Sequence, residues 1–179
     1  MSRTKYIVDL KQYGNNIKNI RESLNPTTKI LLTLKCDAYG LGAVKLAEVA
    51  EKQNVAYFGV ASIEEALELR EAGIETNILL FSEPFLDDLK KIVTLNITPT
   101  LFKPSSAYLL NEISKKKGII TNFHFKLDTG MARNGTNPEQ AYTDIQYILN
   151  LPYLKLESIY THISDGSKPY SSYTHNQNR

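Results

Sequence analysis

Short, β-rich apolar runs alternate with helical patterns along almost the whole of this 179-residue chain, and that alternation constrains its fold more than any other feature. The runs are Ile30 to Leu34, Val55 to Val60, Ile78 to Phe81, Ile97 to Phe102, Phe123 to Leu127 and Leu156 to Tyr160. Apolar runs bounded by turn residues fit strands buried on both faces of a parallel sheet. The segments between them are long enough for crossover helices. Ser62 with Glu65 reads as a capping box opening SIEEALELREAG, Ile63, Ala66, Leu69 and Ala72 repeat at helical spacing, and Gly73 sits at the closing cap. Further helices are expected over Lys11 to Leu24, Leu41 to Glu51 and Ser105 to Lys117 (closed by Gly118), and from Asn137 with Pro138 in its first turn. Strands alternating with helices imply right-handed βαβ units. Two architectures satisfy them, an open doubly wound sheet or a (β/α) barrel. Eight barrel strands usually need about 250 residues, and about six strands are countable here. The sheet is therefore open, or the chain stops before a barrel closes.

The balance of 21 Lys and Arg against 19 Asp and Glu gives a net charge of only +2. That offers no footprint for nucleic acid and no polybasic membrane anchor. The single cysteine, Cys36, excludes an intramolecular disulfide and a multi-cysteine zinc site. No apolar run approaches the roughly 18 residues of a membrane span, and MSRTKYIVDL lacks the apolar core of a secretory signal. A soluble, cytoplasmic protein is the expectation. The three histidines lack close metal-ligand spacing, and there is no glycine-rich dinucleotide fingerprint, phosphate loop or nucleophile elbow.

In either architecture the ligand sits at the carboxyl ends of the strands. The residues there are Lys35 to Gly40, Ala61-Ser62, Ser82-Glu83-Pro84, Lys126 to Arg133, and Thr161 to Asp165. Lys35 follows ILLTL without a break. A desolvated lysine is an imine-forming nucleophile or a base, whereas one snorkelling into solvent is neither. In NFHFKLD, Phe123, Phe125 and Leu127 share one face and Asn122, His124, Lys126 and Asp128 the other. On a sheet covered on both faces that polar strip suggests a barrel interior. His124 reads as a hydrogen-bonded structural residue, and Lys126 can simply pair with Asp128. Tyr39 can donate to a phosphate or pack as an ordinary tyrosine. Arg133, in a glycine-flanked turn, can read a carboxylate or phenolate, and His162 ends the last run.

TLKCDAYGLGA resembles the first signature of the alanine racemase family, a lysine followed by Ala-Asp-Ala-Tyr-Gly-His-Gly. KLDTGMARNG resembles the second, IYTHIS the strand ending in Thr-His, and GVASIEEALELREAGI the segment between, all in the family's order. The resemblance implies a pyridoxal phosphate enzyme that interconverts L- and D-alanine in the cytoplasm, supplying D-alanine for the cell wall. Its fold would be a (β/α)8 TIM-type barrel, here incomplete, with residues 1–179 forming the N-terminal part of the cofactor-binding domain. Lys35 would hold the cofactor covalently and act as the base on one face of the substrate. Tyr39 would contact the cofactor phosphate, Arg133 its phenolic oxygen and the substrate carboxylate, and His162 would lie beside the pyridine ring. Lys126 matches a lysine often carbamylated by carbon dioxide, giving an anion that orients the arginine.

The family's second base, a tyrosine, comes from the C-terminal β-domain of the partner in a homodimer, and this chain is expected to stop before that domain. The isolated chain is therefore expected not to be a competent racemase. Cys36 replaces the usual alanine and Leu41 the common histidine, and neither change removes a catalytic group. Three alternatives remain. A single-barrel pyridoxal phosphate-binding protein would lack racemase activity, a Schiff-base aldolase would use Lys35 or Lys126 directly on a carbonyl, and a doubly wound interaction domain would bind no cofactor.

Overall fold

The computed structural model describes residues 4–177 and shows an α/β fold with six strands alternating with helices. The chain forms two compact units that part between Leu79 and Leu80.

The first unit begins with helix α1 (Leu10–Ser23). Asp9 caps it by accepting the Gln12 N–H at 2.9 Å. A Cβ on Gly14 would lie 3.3 Å from Val49 Cγ1, so the missing side chain is what lets α1 close on α3 (Ala43–Glu51). Strand β1 (Leu31–Thr33) pairs in parallel with β2 (Tyr57–Val60), Leu31 opposite Tyr57 and Thr33 opposite Gly59. Between β1 and α3 lies a short helical segment, α2 (Lys35–Gly40). Helix α4 (Ile63–Glu71) follows β2 and buries Ile63, Ala66 and Leu69, the face expected from their spacing. It ends as its glycine implies. Gly73 takes φ +82°, its N–H reaches Arg70 O, and the Ile74 N–H reaches Leu69 O, which is the Schellman pair. Strand β3 (Asn77–Leu80) lies at the boundary.

In the second unit the short helix α5 (Leu89–Thr94), which the sequence reading did not anticipate, leads into β4 (Ile97–Leu101), buried throughout. Helix α6 (Pro104–Lys117) starts one residue before the expected Ser105 and closes at left-handed Gly118. Strand β5 (Thr121–Lys126) pairs in parallel with β4 and with β6 (Leu154–Tyr160). Helix α7 (Pro138–Leu149) is capped by Asn137, and α8 (Ser172–Gln177) is the last described element. Phe123 and Phe125 are fully buried, as the alternation of β5 requires. His124 and Lys126, on the opposite face, are buried too.

The β5–β6 ladder carries one irregularity. Phe123 pairs with Leu156 but His124 with Ser158, so Glu157 is an extra residue, a β-bulge. Beyond it Ser158 and Tyr160 stand opposite His124 and Lys126. The Tyr160 hydroxyl lies 2.7 Å from Thr100 Oγ1 on β4. Burial, partly offset by that hydroxyl, pushes the Tyr160 phenol up to about 12.

Candidate active site

Lys35 leaves the end of β1 one residue after Leu34, which is buried and donates its N–H to Gly59 O at 2.8 Å. The next four residues, Cys36, Asp37, Ala38 and Tyr39, all have φ between +51° and +59°. This is a turn of left-handed helix built without glycine. Each L-residue there costs roughly 1–2 kcal/mol, and such strain concentrates at functional sites where the surroundings enforce it. The enforcing contacts are visible. The Ala38 N–H donates to Leu34 O at 2.8 Å, the Gly42 N–H to Asp37 O at 3.1 Å, and the Ala43 N–H to Asp37 Oδ1 at 2.6 Å. The Cys36 N–H donates to Glu65 Oε1 on α4 at 2.7 Å. The turn returns Tyr39 toward the lysine, with Lys35 Nζ 5.8 Å from the phenol ring centre. Tyr39 is 67% exposed, so its hydroxyl is free of the core.

In the second unit β5 delivers Lys126, only 5% exposed, with Nζ 5.4 Å from the Tyr160 ring centre. Burial first, and the Arg133 guanidinium second, push its amine below the ordinary lysine range, against the pull of Asp128. His124 next to it is pushed down by burial, opposed by Glu157, whose Oε2 lies 3.8 Å from Nε2.

The loop after β5 is organised by Asp128. Its Oδ1 accepts the Gly130 and Ala132 N–H groups at 3.0 and 2.9 Å, and its Oδ2 accepts the Arg133 N–H at 2.8 Å. Slight burial works against ionisation, but these donors hold the carboxyl below the usual carboxylate range. The loop closes through Asp128 N–H to Thr136 O at 2.7 Å and Thr136 N–H to Lys126 O at 3.1 Å. Gly135 is demanded here, because a Cβ would sit 2.7 Å from Asp128 N. The loop presents exposed Arg133 at the edge of a cleft of about 620 Å³, lined in part by Ser82, Glu83, Lys103, Asp128 and Asn134. His162, exposed beyond β6, accepts from Gln177 Nε2 at its carbonyl. The neighbouring Thr161 hydroxyl ties the ends of β5 and β6, donating to Leu127 O at 3.0 Å and meeting Thr129 Oγ1 at 2.9 Å.

The structure thus brings Lys35 to Tyr39 within the first unit. Within the second it brings Lys126 to Arg133 and places His162 at the end of the adjacent strand. Two acidic residues were given no site role from the sequence, Glu83 being named only among the strand-end residues and Glu65 only as half of a capping box. Glu83 Oε2 accepts the Phe102 N–H at 2.9 Å, and burial raises its carboxyl to about 7 despite the Ser106 hydroxyl, the Phe102 N–H and Lys103. Glu65 spends its carboxylate on backbone N–H groups, Cys36 and Ala61, rather than on the Ser62 amide that a complete capping box would use. Ser62 supplies its half, accepting the Glu65 N–H at 3.3 Å. Among the described residues no His, Cys, Asp and Glu cluster suits a metal ion, and no helix is long and apolar enough to cross a membrane.

The chain is similar to known proteins over most of its length. An alanine racemase from Treponema denticola is 39% identical over 169 residues, covering 93% of this chain and 45% of the relative. The solved alanine racemase of Clostridium difficile 630 in complex with cycloserine superposes with a TM-score of 0.87 at 35% identity, over 94% of this chain and 46% of that one. The Bacillus anthracis enzyme with bound L-Ala-P gives 0.86 at 25% identity, over 98% and 47%. The chain therefore spans a little under half the length of these relatives. Its six strands correspond to that share of their N-terminal TIM barrel, which decides between the two architectures in favour of the barrel. Residues 8–179 match the family model for the alanine racemase N-terminal domain, and the chain belongs to that pyridoxal phosphate-dependent racemase family.

Proposed function

We propose that this chain is the N-terminal part of the cofactor-binding barrel of a pyridoxal phosphate-dependent alanine racemase, one that works as a homodimer in its full-length form. The observation that carries the reading is the amine of Lys35 at a strand's carboxyl end, borne on a left-handed turn that swings the Tyr39 phenol to its side. The donor set fits the cofactor. The first unit offers an amine that would suit its aldehyde and a phenol that would suit its phosphate, and the second offers a guanidinium and an imidazole that would suit its phenolic oxygen and ring. The bound cofactor supplies an electron sink for the carbanion left when an α-proton departs.

The chain's own residues supply placement and proton transfer. Lys35 Nζ would hold the cofactor and exchange the proton on one face of the substrate, and Arg133 would receive the substrate carboxylate. A proton must also be exchanged on the opposite face, a task we assign to a tyrosine of the partner subunit's C-terminal β-domain. Lys126 takes the carbamylated role. Its buried amine, pushed below the ordinary lysine range, has a larger share of the neutral form that carbon dioxide requires, and the anion formed would balance the charge of Arg133 and orient it.

The test is the visible absorption spectrum of the chain after addition of pyridoxal phosphate and dialysis, compared with Lys35→Ala. A retained band that the substitution abolishes is the expected result. A band independent of Lys35, or none, overturns the reading. Mass spectrometry of the intact protein in bicarbonate checks the second role. One carbon dioxide should add to the wild type and none to Lys126→Met.

A further inference from the structure

We infer that Glu65 is the positioning residue for Lys35, its carboxylate fixing the direction in which the amine leaves the barrel strand. The inference rests on the reading of Lys35 as the cofactor lysine and goes one step behind it.

Both carboxylate oxygens are committed. Oε1 accepts the Cys36 N–H and Oε2 the Ala61 N–H, each at 2.7 Å, so one side chain pins the residue after Lys35 to the residue after β2. Cys36 is the first left-handed residue, and its N–H belongs to the peptide that joins it to Lys35. Holding that peptide sets the backbone angle that aims the lysine. The clamp is anchored in turn. Glu65 stands in the first turn of α4, a helix held in place by its buried Ile63, Ala66 and Leu69. A residue serving only to cap α4 would return its carboxylate to the Ser62 amide. This one reaches 29 positions back along the chain.

The chemistry calls for a carboxylate. Two backbone donors converge on two acceptors, and a glutamine in the same place would turn an NH2 group against one of them.

The experiment traps pyridoxal phosphate on the intact chain with borohydride and measures by peptide mass spectrometry the share of label on Lys35, with the other lysines as the internal reference. The wild type should label Lys35 in excess. Glu65→Gln should lower that share at least about tenfold, the loss of one charge-assisted hydrogen bond. Glu65→Asp, which keeps both acceptors on a shorter arm, should recover part of it. Ser62→Ala is the control for mere helix capping. It should lower the thermal midpoint and leave the Lys35 share as it was. Wild-type labelling in folded Glu65→Gln, or an equal loss in Ser62→Ala, overturns the positioning role alone. Absence of any excess on Lys35 in the wild type overturns the cofactor reading and takes this inference with it.

Discussion

Cys36 is exposed at φ +54°, and its Cβ is poorly tolerated there. Cys36→Gly removes strain of roughly 1–2 kcal/mol and adds an unfolded-state entropy cost of about 0.4–1 kcal/mol. The expected net is a small gain in stability in urea unfolding, and a clear loss would refute the strain. Gly135→Ala is the opposite case. Its Cβ would lie 2.7 and 2.8 Å from backbone atoms of Asp128 and Leu127, so a loss of about 2 kcal/mol or more is expected in the same measurement. Glu83 supplies the pH prediction. Its carboxyl is raised from the model-peptide value of 4.5 to about 7, so the folded state favours the neutral form. The stability this contributes is complete below about pH 4.5 and is lost as pH rises through about 7, an effect of order 3 kcal/mol. Glu83→Gln should remove that slope from a pH series of unfolding free energies, and identical slopes would contradict it. Glu83 and Glu65 were hard to read in sequence because each bonds backbone amides. An N–H of residue 102 or 36 leaves no mark in the residue letters.

At the scale of elements, legibility followed local signals. Ser62, Gly73, Asn137, Pro138 and Gly118 are terminators whose effect is confined to one turn, and each stands where the sequence placed it. Helix α5 was missed because six residues are too few to display a periodicity. The left-handed α2 was invisible for a different reason. Cys-Asp-Ala-Tyr has no local preference for φ > 0, and the turn exists through contacts with α3 and α4. The site residues themselves were named from strand ends and signatures, while their mutual geometry came from these contacts. A shared device emerges at the strand ends. Glu65 after β2, Glu83 after β3 and Asp128 after β5 each use a carboxylate to gather backbone N–H groups. Asp128→Asn exchanges one acceptor oxygen for a donor beneath the Arg133 loop. Faster amide hydrogen exchange at Gly130, Ala132 and Arg133 is the expected signature, and unchanged exchange would show that the loop holds itself.

For the whole molecule, the modest net charge of +2 leaves little long-range repulsion between copies. Strand β6 pairs with β5, and no described strand lies on its other side. Its Ile159 is 51% exposed. Such an edge invites pairing with another chain. Ile159→Lys should therefore lower the apparent mass of the isolated chain in light scattering at high concentration, and no change would place the association elsewhere. The extra residue at 157 has a consequence of another kind. Leu156 and Ser158 already face consecutive residues of β5, so a heritable deletion of residue 157 would close the ladder without moving Ser158 or Tyr160 from their partners. The strand carries one residue of slack. A lineage can shed it and keep its half-buried tyrosine in phase, whereas a deletion within Ile97–Leu101, which carries no such surplus, turns Thr100 away from that tyrosine.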